Sequence, residues 1–197
     1  MRLAIVASAV GNLASVQSAV DRLGAPYDLT TDPEVIRAAS HVIFPGVGAA
    51  KAAMADIDAK GLRAVLKGLA QPLLGVCLGM QLLYESSSEG GGIDCLGLIP
   101  SRIDLLPDRG LTIPHMGWNQ LTLKQVDHPL LRGVKSGDYV YFVHSFYAPA
   151  GAETLASTDH GVEISAVVQR GNVYGCQFHP ERSGPVGARI LANFLEL

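Results

Sequence analysis

The segment PLLGVCLGMQLLYES, from Pro72 to Ser86, sets a cysteine between two glycines where an apolar run gives way to a helical pattern. Gly75, Cys77 and Gly79 make G-x-C-x-G, the cysteine counterpart of a nucleophile elbow, a sharp strand-to-helix turn that exposes a reactive side chain. Glycine two residues to either side leaves room for the crowded backbone. A helix following the turn would aim unpaired N–H groups and a positive dipole end at the sulfur, favouring thiolate, the nucleophilic form. Such a nucleophile needs a base, and the base needs an orienter. GCQFHPERSG supplies both. His179 and Glu181 follow a strand, and Pro180 biases His179 toward extended geometry, in which residues i and i+2 point the same way. Glu181 would hold one imidazole nitrogen while the other faces Cys77, which is triad chemistry with sulfur in place of a hydroxyl.

Acyl transfer also needs donors for the oxyanion of the tetrahedral intermediate. The backbone N–H of Leu78 is one candidate. The other is the loop PGVGAA, Pro45–Ala50, where Gly46 and Gly48 flank Val47 and let the backbone approach a substrate. Each piece has a plainer reading alone: a small buried thiol, a turn, an ordinary glycine loop. Together, at the ends of strands of one sheet, they favour chemistry. Cys95 and Cys176 read as packed thiols, His41 as a strand start, and His128 and His160 as turn or surface residues.

The elements that must position these residues follow from pattern. Leu3–Ala9, His41–Phe44 and Leu73–Val76 read as buried strands. Leu13–Leu23 has helical spacing, Asp32 caps a helix that begins at Pro33, and Ala49–Ala70 reads as one or two helices broken near Gly61. This β-α alternation implies a parallel sheet covered on both faces. Ser86–Gly92 (SSSEGGG) reads as a flexible loop. Beyond it Asn119–Lys124, Tyr139–Tyr147, Glu163–Gln169 and Val173–Phe178 look like strands, with a hairpin at Arg170-Gly171-Asn172 and a last helix from about Gly184 to Leu197. In Tyr139–Tyr147, Tyr141 and Val143 should face one side, Phe142 and His144 the other. The expected architecture is a three-layer α/β/α domain spanning residues 1–197, with a mostly parallel central sheet and added antiparallel strands.

Composition narrows the function. The chain has 197 residues, is 48% hydrophobic and carries a net charge of −3, so a full core is available and a nucleic-acid ligand is disfavoured. Three cysteines with no C-x-x-C argue against a disulfide framework and a structural zinc site. No metal and no cofactor is expected, no apolar run reaches bilayer length, and the cytoplasm is the expected compartment.

PGVG, GVCLGMQ and QFHPE together resemble the class I glutamine amidotransferases, and the resemblance covers essentially the whole chain. It implies that Cys77 attacks the side-chain amide of glutamine, that His179 protonates the leaving ammonia, and that Glu181 orients His179 while a γ-glutamyl thioester forms and is hydrolysed. It also places Gln81 beside the bound glutamine, flanked by the backbone of His144, Ser145 and Phe146, with Gly46 to Gly48 in the oxyanion loop. IPHMGWNQL, YFVHSFYA, GNLASV and HPERSG are similar to the glutaminase subunits of imidazole glycerol phosphate synthases. Those subunits pair with a (β/α)8-barrel cyclase that takes up the ammonia, in histidine biosynthesis.

Two departures from the family pattern fall at regions that face the partner or the site mouth. Ala9-Val10 precede Gly11-Asn12 where a tyrosine-glycine element is frequent, and Arg182 stands where lysine is usual. The resemblance places Asn12, Tyr141 and Arg182 at the partner interface. Trp118, the one tryptophan, fits an interface anchor, or else a core aromatic closing the second half of the sheet. The two glycines around Val47 suggest a loop whose peptide flips to complete the oxyanion hole when the cyclase holds its nucleotide. The competing readings are a class I amidotransferase subunit serving a different ammonia acceptor, a cysteine-elbow protein of the protease or stress-response type, and a binding module that keeps only the fold.

Overall fold

The structure, a computed structural model, describes residues 2–7 and 13–197. Its first half alternates strand and helix: β1 (Leu3–Val6), α1 (Leu13–Arg22), β2 (Tyr27–Thr30), α2 (Pro33–Ala38), β3 (His41–Gly46), α3 (Ala50–Ala59), α4 (Leu62–Lys67) and β4 (Leu73–Cys77). Asp32 caps α2 by accepting from the Glu34 N–H, with Pro33 at the first helical position, and Gly61 separates α3 from α4 in a left-handed conformation. The chain then passes through α5 (Leu78–Gln81), β5 (Tyr84–Ser87), β6 (Ile93–Asp94) and β7 (Ile99–Leu105). Next come β8 (His115–Gln120), β9 (Thr122–Leu123), β10 (Tyr139–His144), β11 (Phe146–Tyr147), β12 (Thr154–Asp159), β13 (Glu163–Arg170), β14 (Val173–Cys176) and α6 (Gly184–Leu195).

The main sheet has the order β2-β1-β3-β4-β14-β13-β12-β9. It is parallel from β2 through β14 and antiparallel beyond. Alternation along its strands feeds two cores. Ala4, Val6, Val42, Phe44 and Leu73 pack toward α2, α3 and α4, whereas Leu3, Ile5, Ile43, Leu74 and Val76 pack toward α1 and α6. That is the expected three-layer arrangement with its antiparallel addition.

Several boundaries differ from expectation. β1 stops at Val6, and Ala9 lies outside the described residues. The SSSEGGG stretch is more ordered than its composition implies: Ser86 and Ser87 belong to β5, paired with both β6 and β7, and Glu89–Gly91 form a 3-10 turn. Backbone pairing on both sides holds β5 in place whatever its side chains, so the serines gave no strand signal. The expected strands 119–124 and 139–147 each split across sheets. β8 and β10 form a two-stranded ribbon, β9 joins the main sheet, and β11 joins the four-stranded sheet β11-β7-β5-β6. The last helix ends at Leu195. Among the described residues no helix is long and apolar enough to cross a membrane.

Candidate active site

Cys77 ends β4 and turns the chain sharply. Its φ of 53° and ψ of −112° lie where a residue with a Cβ is rarely found. The flanking glycines make the turn possible. A Cβ on Gly75 would stand 2.7 Å from the Met80 nitrogen, and one on Gly79 would stand 1.9 Å from the Phe44 carbonyl oxygen. Gly46, paired with Cys77 across β3 and β4, packs against the start of α5: a Cβ there would meet the Gly79 nitrogen at 2.7 Å. The helix after the turn is shorter than the sequence suggests, Leu78–Gln81 only. Leu82, Leu83 and Tyr84 are pulled into the core and the chain becomes β5, so the sulfur sits over one turn of N–H groups and not over a long macrodipole.

β14 is the parallel neighbour of β4, with Cys176 level with Val76, so the residues after it arrive beside Cys77. His179 is extended, at φ −94° and ψ 97°, as Pro180 requires. Glu181 reaches it differently from expectation, from a 3-10 turn over Pro180–Arg182. Its Oε1 lies 2.7 Å from His179 Nδ1, and both side chains are buried. The Cys77 side chain is the ring's other electrostatic partner. With Nδ1 on Glu181, Nε2 is the nitrogen left for the sulfur. Burial alone would suppress the imidazolium, but Cys77 and Glu181 outweigh it and raise the pKa of His179 from 6.5 to about 10. A proton is thus held between sulfur, imidazole and carboxylate at neutral pH, as a nucleophile and its acid–base partner require.

His179 is also fixed from behind. The His179 N–H donates to the Tyr141 carbonyl at 3.0 Å, and the Tyr141 N–H donates to Ser183 Oγ at 2.9 Å. Ser183 in turn donates to the His179 carbonyl at 2.7 Å. Ser183 is fully buried and was not marked by the sequence, because a serine after a turn carries no distinctive pattern.

Cys77 and His179 open into a cavity of about 380 Å³. Val47, Gly48, Leu78, Gln81, Val143, His144, Ser145 and Phe146 line it, as do Glu89 and Pro114. The cavity thus gathers the sequence-predicted substrate residues except Gly46, which sits behind it as backbone packing. The Cys77 thiol faces the Val143 carbonyl at 3.9 Å. Gln81 is buried, its amide donating to the Phe146 carbonyl at 2.8 Å and to Gln177 Oε1 at 3.0 Å. Glu89, hidden in the presumed loop SSSEGGG, accepts from the Ala50 N–H at 2.8 Å and so anchors the start of α3 just past Gly48. Gly48 has φ +90°, a conformation open to glycine. Among the described residues no cluster of His, Cys, Asp or Glu is arranged to hold a metal ion.

Trp118, Tyr141 and Arg182 cluster outside the cavity. Trp118 and Tyr141 are partners across β8 and β10 with ring centroids 6.0 Å apart, and the Arg182 guanidinium lies 5.9 Å from the Tyr141 ring centre. Trp118 is 55% exposed, so it does not close a core, and Met116 beside it on the same face is 62% exposed. Asn12 lies outside the described residues. Cys95 and Cys176 are buried free thiols, and His41 begins β3, as expected. His128 and His160 stand at turns, but His160 also stacks on the buried His115.

Comparison with known proteins agrees with this geometry. A family model described as "Glutamine amidotransferase class-I" matches residues 5–197. The chain is 50% identical over 207 residues to the imidazole glycerol phosphate synthase subunit HisH of Colwellia psychrerythraea, covering 98% of this chain and 92% of that one. It is 45% identical to the HisH subunit of Yersinia pseudotuberculosis over 197 residues, all of both chains. Among solved structures, a glutamine amidotransferase superposes with a TM-score of 0.76 at 19% identity, covering 98% of this chain and 97% of the other. The glutaminase domain of Trypanosoma brucei CTPS with bound acivicin does so with a TM-score of 0.68 at 14% identity, covering 100% of this chain and 94% of that one. These distant structures share the fold. The family match and the close relatives go further: this chain belongs to the class-I glutamine amidotransferases, among the HisH subunits of imidazole glycerol phosphate synthase.

Proposed function

We propose that this chain hydrolyses glutamine at Cys77 and passes the ammonia to a cyclase subunit, the two forming an imidazole glycerol phosphate synthase. The observation that carries this reading is the placement of Cys77 and His179 at the ends of adjacent parallel strands, with Glu181 locked 2.7 Å behind the imidazole. The sulfur attacks the side-chain carbonyl carbon of glutamine. The oxyanion is stabilised by the Leu78 N–H and by a peptide N–H of the Gly46-Val47-Gly48 loop. His179 gives its proton to the departing nitrogen, the C–N bond breaks, and ammonia and a γ-glutamyl thioester result. Water then attacks the thioester, His179 takes the water's proton, and glutamate leaves as the thiol is restored. Gln81 and the His144-Ser145-Phe146 corner hold the substrate.

The partner reading rests on the exposed apolar ribbon. Met116, Trp118 and Tyr139 are all more than half exposed, and such a surface marks an interaction site. Trp118, Tyr141 and Arg182, together with Asn12, are the residues assigned to the cyclase interface in a one-to-one heterodimer. The site of action is the cytoplasm.

The test is Cys77→Ser in the reconstituted complex. Glutamine-dependent synthesis should fall at least about a thousandfold, in line with loss of the attacking group. Synthesis from added ammonia should persist. Retained glutamine use would overturn the assignment of Cys77, and loss of both would overturn the division of labour.

A further inference from the structure

A line of neutral polar groups, the buried His144 and His115 and the half-buried Asn119, runs from the cavity wall into the ribbon β8–β10, and the mechanism uses none of it beyond His144. His144 Nδ1 lies 2.9 Å from the Phe146 carbonyl oxygen. A carbonyl only accepts, so Nδ1 carries the hydrogen and His144 Nε2 is an acceptor. That nitrogen lies 3.0 Å from His115 Nδ1, which must therefore donate, leaving His115 Nε2 to accept. At 3.2 Å stands Asn119 Nδ2, a donor.

The far end fixes the same polarity independently. Asn119 Nδ2 also donates to the Asp159 carbonyl at 2.8 Å, and its Oδ1 accepts from the Gln120 N–H at 2.8 Å, so the amide cannot be turned around. Asn119 to His115 to His144 to Phe146 is thus a one-way chain of donors with both rings in the Nδ1–H form. Packing holds it: His115 lies between the Phe142 ring, at 4.7 Å, and the His160 ring, at 4.2 Å, both nearly parallel to it. Gly117, between His115 and Asn119 on β8, carries no side chain to interrupt the stack. Burial keeps both rings uncharged, lowering His115 to about 4 and His144 to about 3.

The chain ends where the cavity needs a fixed shape. Ser145 is the step between two sheets, since β10 ends at His144 and β11 begins at Phe146. Three bonds hold that corner. The Leu106 N–H donates to the Ser145 carbonyl, and the Phe146 carbonyl accepts from both His144 and Gln81. Both lone pairs of that oxygen are engaged, and the orientation of Gln81 depends on it.

We infer that His115, backed by Asn119, is a positioning residue for substrate glutamine: it fixes the tautomer and tilt of His144, and through them the Ser145–Phe146 corner and Gln81. The inference rests on the reading of this cavity as the glutamine site. It assigns His115 to binding geometry and not to the proton transfers at His179.

Two measurements on the complex with its cyclase partner test it. In the first, nitrogen-15 spectra of the histidine rings in the unmodified complex should show His115 and His144 both as Nδ1–H, against the Nε2–H form usual for free imidazole. A hydrogen on Nε2 of either ring overturns the chain. In the second, His115→Phe keeps a ring in the stack but removes both nitrogens. The KM for glutamine should rise about tenfold, the worth of one lost buried hydrogen bond, while kcat falls less than about threefold. Asn119→Ala, which leaves the His115 ring in place, should raise KM in the same sense by a smaller factor, and serves if the first variant does not fold. An unaltered KM in the folded variants, or a loss confined to kcat, overturns the inference. The two readings fail separately: absence of glutamine turnover in the unmodified complex would remove the substrate assignment, whereas the tautomers would stand.

Discussion

Gly79 lies so close to β3 that a Cβ built on it would stand 1.9 Å from the carbonyl oxygen of Phe44. The start of α5 therefore rests directly on the backbone that leads into the Gly46–Gly48 loop. Gly79→Ala must push the Cys77 turn and the Gly46–Gly48 loop apart. The expected cost is about 2–4 kcal/mol of folding stability, the upper range for overpacking a site bounded by backbone. Urea unfolding measures it, and a change below about 0.5 kcal/mol, the range of neutral surface substitutions, would show that the contact relaxes freely.

Selective labelling separates the three thiols. Burial pushes Cys95 up to about 11 and raises Cys176 further still, so both remain protonated thiols at neutral pH. Cys77 alone lines the cavity. A glutamine-analogue electrophile should attach to one cysteine per chain, the adduct vanishing in Cys77→Ala and persisting in Cys95→Ala. Mass spectrometry of the labelled peptides decides, and an adduct on Cys95 or Cys176 in the native protein would contradict the assignment.

The proton held by His179 makes stability depend on pH. The folded-state value is about 10 against 6.5 unfolded, because Cys77 and Glu181 outweigh burial. Between those values the native chain binds a proton that the unfolded chain releases. The contribution is fully present below about pH 6.5 and is lost as pH rises toward about 10. Glu181→Gln removes one of the two stabilising partners. The difference in unfolding free energy between about pH 6 and pH 9.5 should be smaller in this variant than in the parent chain. An equal or larger difference would mean that Glu181 does not hold the imidazolium.

Trp118 separates binding from folding. It is 55% exposed and its main contact is the edge of Tyr141. Trp118→Ala should change folding stability by less than about 0.5 kcal/mol, as surface substitutions do. It should weaken cyclase binding by about 2 kcal/mol or more, roughly thirtyfold in Kd, if it is a hot-spot anchor. Calorimetric titration set beside thermal unfolding reads both. The opposite ranking of the two effects would remove Trp118 from the interface.

The geometry of the candidate site was legible in the sequence where it depends on local constraints. G-x-C-x-G leaves room for the turn at Cys77, and Pro180 biases His179 toward the extended form. Patterning likewise gave the parallel half, since buried strands between helices leave long apolar runs such as Leu3–Val6 and Leu73–Val76. What stayed hidden depends on contacts between distant segments. Glu89 is bound to Ala50, and Ser183 bridges Tyr141 and His179, yet neither sits in a pattern that sequence spacing reveals. The breaks at Leu121 and Ser145 were missed for the same reason: strand-forming residues continue across both, and only the choice of partner strand separates the sheets. His115 looked like part of a narrow motif, and its tie to His144 is visible only once β8 and β10 are paired.

Strand β14 slots between β4 and β13, deep inside the main sheet. A ribosome delivers β4 well before β14. Until then β4 is an open edge, and its thiol has no imidazole to trade protons with. On the proposed chemistry, half-made copies would leave the cell's glutamine alone, and reactivity would switch on at the moment the sheet is completed.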